Sequence, residues 1–97
     1  MGGTQYKLVF RVHALTRMFD RGIAEEEVIS ALQGGDTIAA YPDDTPYPSR
    51  LVLGYSGRRP LHLVVADNED DRERIIVTVY EPDREKWSGD LKTRLKR

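Results

Sequence analysis

From residue 12 to 21 the apolar positions recur with a helical period: Leu15, Met18 and Phe19 fall at i, i+3 and i+4, the spacing of one buried face. Gly22 stands where a C′ glycine ends such a helix. A second helix is predicted at once, because Glu25, Glu26 and Glu27 fill its first turn, where the positive end of the helix dipole favours carboxylates. Ile23 and Val28 hold the N′ and N4 positions of a hydrophobic staple, although Ala24 has no side-chain oxygen with which to cap the helix. This helix runs through Ile29 and Leu32 to Gln33 and stops at Gly34-Gly35.

The period then changes to two. Residues 37–41, 51–55, 61–66 and 75–80 are strand candidates rich in Val, Ile, Leu and Tyr. Ser56-Gly57-Arg58-Arg59 reads as a tight hairpin turn and residues 67–74 as a longer polar one, so the last three strands form an antiparallel meander. Between residues 42 and 49 three prolines exclude regular structure and leave a shaped loop. Residues 6–11, Tyr-Lys-Leu-Val-Phe-Arg, read as a short first strand or an extended arm. The expectation is an α+β fold: a short N-terminal strand, two helices, then a mostly antiparallel four-stranded sheet. Residues 1–11 form the arm or first strand, 12–83 a single domain core, and 84–97 a tail that docks the Trp87 indole on the domain.

Composition narrows the classes. A chain of 97 residues suffices for one hydrophobic core. With no cysteine, neither disulfides nor zinc-thiolate sites can hold it together. The longest apolar stretch, residues 61–66, is interrupted by His62 and falls far short of the roughly 20 residues that span a bilayer. Residues 1–5 lack the features of a signal peptide, which makes the cytoplasm the expected location. A net charge of −1 does not advertise nucleic-acid binding. The charge is nonetheless segregated into an acidic stretch, residues 67–73, and a basic end with Lys92, Arg94, Lys96 and Arg97. The plain reading of these is a solvated hairpin loop and a frayed terminus.

Alternation places Leu61, Leu63 and Val65, with Ile75, Val77 and Val79, on the side that meets the helices. His62, Thr78 and Tyr80 then share the opposite side, where an imidazole could act as general acid or base near neutral pH. The plain alternative is a histidine and a tyrosine on a half-exposed sheet face. On the first helix His13, Arg17 and Arg21 stack at i, i+4 and i+8, a stripe suited to phosphate oxygens or equally to solvent, with Arg21 also able to pair with Glu25 or Glu26. No HxH, HxxxH or HExxH spacing, glycine-rich phosphate loop or nucleophile elbow is present, so neither a metal nor a cofactor is expected.

Several segments in order resemble a bacterial family, the domain of unknown function numbered 4258. They are His13-Ala14, Arg17-Met18, Arg21-Gly22-Ile23, Glu26-Glu27-Val28, Tyr41-Pro42, Pro46-Tyr47-Pro48-Ser49, Arg59-Pro60-Leu61-His62 and Thr78-Val79-Tyr80-Glu81-Pro82-Asp83, with Trp87 beyond. Ala24 departs from the small hydroxyl residue more usual there. The element order is similar to that of RelE-, BrnT- and MqsR-like bacterial toxins, also called BECR-like, which are small metal-independent ribonucleases. That resemblance implies RNA as substrate and an MqsA-like zinc-finger antitoxin as partner. It makes His62 the general base or acid, Tyr80 its partner or a phosphate donor, His13 a second acid and Arg17 a charge stabiliser, with Arg21, Thr78, Arg50 and Tyr47 as substrate contacts. The rival expectations are a non-catalytic module that binds a protein or ligand through the Pro-Tyr-Pro loop and sheet floor, and a toxin fold that has lost its activity.

Overall fold

The computed structural model describes residues 5–96. Its elements are β1 (Lys7–Phe10), α1 (Val12–Arg21), α2 (Glu25–Gln33), β2 (Asp36–Tyr41), β3 (Ser49–Ser56), β4 (Arg59–Asn68) and β5 (Glu73–Tyr80). The strands form one sheet in the order β1-β5-β4-β3-β2. Five strands replace the expected four, because β1 is a full member: it pairs parallel with β5 from Lys7↔Glu73 to Phe10↔Ile76. Four residues with no turn joining them to their neighbour carry no local pairing signal, and only the return of β5 supplies the partner edge.

Both helices lie on one face, α1 against β5 and α2 against β3 and β4. Gly22 ends α1 in the left-handed region at φ 66, donating its N–H back to Phe19. At α2 the missing N-cap side chain is half replaced: the Glu27 carboxylate accepts the Ala24 N–H at 3.0 Å. α2 then packs directly on β3 at Gly54, where a Cβ would fall 1.9 Å from the Ala31 carbonyl oxygen.

The buried face of α1 differs from the expected one. Ala14 and Met18 are buried with Ile23, whereas Leu15 and Phe19 are exposed, Phe19 by 87%. Ala14 and Met18 make the narrow stripe of α1 that is covered against β5, and Val12, Leu15 and Phe19 face outward. The face assignment of β5 also changes. Val64 pairs with Thr78 but Val65 with Ile76, so Val77 is the extra residue of a β-bulge. Ile76 and Val79 therefore join Leu61, Leu63 and Val65 in the helical core, and Ile75 does not.

The second face is covered by the chain beyond β5. Trp87 and Leu91 pack on Leu51 and Leu53 as a separate cluster. The segment holds itself by an isolated bridge between Trp87 and Arg94 and by Asp90, whose carboxylate accepts from the Ser88 hydroxyl at 2.6 Å and the Lys92 N–H at 3.1 Å. Leu91, fully buried, sits in the left-handed region at φ 65. A non-glycine residue there costs about 1–3 kcal/mol, so packing must hold it in place.

Candidate functional site

β4 carries apolar side chains toward the helices and sends the alternate one, His62, to the tail-covered face. His62 is fully buried. Its Nε2 lies 2.8 Å from the Leu91 carbonyl, which can only accept, so Nε2 carries the proton. Nδ1 is then a bare acceptor, and the Tyr80 hydroxyl donates to it at 3.2 Å. The Trp87 and Tyr80 rings meet the imidazole edge-on, with centroids at 4.4 and 5.2 Å. Burial pushes the imidazole below its ordinary value, against the pull of the Leu91 carbonyl, which keeps it neutral. Leu91, whose carbonyl meets the ring, is the residue with the left-handed backbone.

Tyr80 links this buried group to the surface. Its phenol lines a cleft of about 420 Å³ together with Arg21, Arg59, Glu81, Asp83, Lys86, Trp87 and Arg94. Burial raises the Tyr80 pKa, the nearby Tyr41 adds to this, and Arg94 and Arg21 pull it back. Both guanidiniums thus act on the phenol. Arg59 is fully engaged: it donates to Glu81 at 3.0 Å, to Glu27 at 3.1 Å and to the Gly22 and Arg21 carbonyls at 3.0 and 3.2 Å. It fastens the α1–α2 corner to the end of β5, and these bonds hold its own pKa up, Glu81 first. Arg21 donates to the Val79 carbonyl at 2.7 Å, and Arg94 lies over the Trp87 ring at 5.9 Å. Arg21, Lys86 and Arg94 have no carboxylate partner among the described residues, so they give the cleft a net demand for anions.

Of the residues expected from sequence, His62, Tyr80 and Arg21 come together here. Thr78 is two residues from Tyr80 on β5, opposite Val64, and is not part of the lining. His13 and Arg17 are exposed on α1, about two turns and one turn before Arg21 respectively, and do not line the cleft either. Arg50 is held elsewhere, donating to Asp67 at 2.8 Å and to Thr37 at 3.2 Å. Tyr47 is half-buried in the loop before β3. Sequence reasoning missed Lys86, Arg94 and the clamp formed by Arg59. The run of charge at the chain's end was visible, but nothing local says that it folds back beside Tyr80. Among the described residues no three His, Asp or Glu side chains gather as a metal site. No helix of the described residues is long and apolar enough to cross a membrane.

A family model described as domain of unknown function (DUF4258) matches residues 10–81. The chain belongs to that family. No curated protein and no solved structure matches it. Within the DUF4258 span lie His62, Tyr80, Arg21, Arg59 and Glu81; Lys86, Trp87, Leu91 and Arg94 come from beyond it. The cleft is therefore built half from the family domain and half from the following segment.

Proposed function

We propose that this DUF4258 domain is a toxin-like, metal-independent ribonuclease, with a RelE-like architecture, that holds an RNA phosphodiester in the cleft between α1, the end of β5 and the tail. The observation that carries the reading is the Tyr80 hydroxyl, backed by buried His62 and opening among Arg21, Lys86 and Arg94. In the reaction the ribose 2′-oxygen attacks the adjacent phosphorus and the bond to the 5′-oxygen breaks, leaving a 2′,3′-cyclic phosphate and a 5′-hydroxyl. The 2′-hydroxyl proton passes to the Tyr80 oxygen as Tyr80 gives its own proton to His62 Nδ1. Lys86 supplies a proton to the leaving oxygen, and Arg21 and Arg94 neutralise the charge gathering on the phosphoryl oxygens. Tyr80 is the catalytic residue; His62, out of reach of any substrate, is a positioning and proton-holding residue. The same proposal includes an MqsA-like zinc-finger antitoxin as partner, with exposed Phe19 as a side chain it would bury.

A second reading, a non-catalytic module, is favoured by the complete enclosure of His62, whose two ring nitrogens are both engaged. Incubating the protein with single-stranded RNA and a chelator separates the two. Cleavage is expected, falling about 100-fold or more in Tyr80→Phe, in line with the loss of a general base. Arg21→Ala should weaken RNA binding and reduce the salt slope by about 0.7, the share of one phosphate contact on a single strand. Intact RNA alongside salt-dependent binding would overturn the nuclease and leave an RNA-binding module, and neither cleavage nor binding would remove RNA from both readings and leave a module for a protein or other ligand.

A further inference from the structure

A second hollow lies on the same sheet face, about 530 Å³ in volume and lined by Ala40, Tyr41, Pro42, Asp43, Asp44, Ser49 and Val64. We infer that it is a nucleobase subsite for the nucleotide next to the phosphodiester held at Tyr80, with guanine as the preferred base. This rests on the reading of the cleft as an RNA site.

Position comes first. Val64, in the lining, is the cross-strand partner of Thr78, and His62↔Tyr80 is the next pair on that face. Diagonal neighbours of this kind are about 7–8 Å apart, a span that one nucleotide bridges. Tyr41, in the wall of the hollow, is also near enough to act on the Tyr80 phenol. The two depressions are thus consecutive stations on one surface.

Chemistry comes second. Tyr41 is 46% exposed, and half-buried Val64 adds an apolar contact, so a base has an aromatic side chain to stack on. The two carboxylates differ. Asp44 is spent within the loop, accepting from the Ser49 hydroxyl at 2.6 Å and the Thr45 N–H at 3.1 Å. Asp43 has no hydrogen-bond or ion-pair partner among the described residues. A free carboxylate repels phosphate but accepts two parallel N–H bonds from the edge of guanine, N1–H and the N2 amino group. Adenine and cytosine offer one amino group, and uracil a single N–H. The cations of the neighbouring cleft take the phosphate and Asp43 takes the base edge, a division that also sets the direction of the strand.

The test uses guanosine, which has no phosphate and so probes the hollow independently of the cleft. In an NMR titration guanosine should shift Tyr41 and Val64 resonances and bind about tenfold tighter than uridine, a preference lost in Asp43→Asn. Tyr41→Leu should weaken all bases. Shifts elsewhere, or equal binding by Asp43→Asn, would overturn the subsite. In parallel, a short oligouridine carrying one guanosine should lose affinity in Arg21→Ala, while guanosine binding by that variant stays unchanged. If Arg21→Ala and Arg94→Ala leave oligonucleotide affinity intact, the cleft reading falls and the base subsite stands on guanosine alone. If oligonucleotides bind through the cleft with no base preference, the subsite falls and the cleft reading remains.

Discussion

The two faces of the sheet are built from the same strands and obey different rules. Toward the helices, Leu61, Leu63, Val65, Ile76 and Val79 form a dry layer with Ala14, Met18, Val28 and Ala31. Each Leu, Ile, Val or Met side chain there contributes about 1.5–3 kcal/mol by leaving water, and no polar partner has to be found. Toward the tail, the layer contains a neutral imidazole, a phenol and an indole, each held by a particular partner. The first face tolerates exchange of one apolar residue for another of similar volume. The second depends on hydrogen-bond identity, which is the property a binding or reacting surface requires. Regular helices cover the first face and an irregular segment covers the second, so opening the second need not unfold the first.

The largest test of this contrast is Leu63→Ala on the helical face, where a cavity in the close-packed layer should cost about 2–5 kcal/mol by chemical denaturation, with the whole chain unfolding in one transition. Trp87→Ala should cost about 2 kcal/mol, less than the 3–5 usual for a buried aromatic. Its effect should also be local: hydrogen exchange is expected to quicken across residues 84–96 and around His62, with α2 and β4 still protected. Uniform acceleration over the domain would mean that the two faces are one cooperative layer.

The smallest expected effect is the pH dependence of His62. Its folded-state pKa is lowered from 6.5 by burial, so the unfolded chain binds the proton first. The contribution of neutral His62 is fully present above pH 6.5 and is lost as pH falls below it. Glu27, whose carboxyl is lowered from 4.5 chiefly by the Ala24 N–H, adds a separate loss at lower pH. Denaturation midpoints measured from pH 6.5 down to 4.5 should decline with acid in the wild type and stay level in His62→Gln. A flat wild-type curve would mean that the imidazole is not enclosed as described.

Much of this was legible along the chain. Both helices fall at the expected residues, because a glycine stop and a glutamate-rich first turn are local signals. The meander was legible for the same reason, its turns being short and polar. The misreadings share a cause of the opposite kind. Leu15 and Phe19 have the spacing of a core face, but the side of α1 that meets β5 is the one carrying Ala14 and Met18, a choice made by the tertiary packing. The bulge at Val77 shifts the alternation of β5 by one, and a strict period of two cannot register an extra residue. For the site, alternation put His62 and Tyr80 on one face, and they do bond. It could not place Arg50, which is drawn to Asp67, a residue 17 positions away in the chain.

What the residues determined by themselves are the element types, their order and the absence of any cysteine cross-link, since propensity, period and turn chemistry act within a few positions. Tertiary structure alone decided that β1 pairs with β5, that Leu91 turns its carbonyl onto His62, and that Arg94 arrives beside Arg21 and Tyr80. Those are contacts between distant parts of the chain, and their energy exists only once the sheet has brought both partners to the same place.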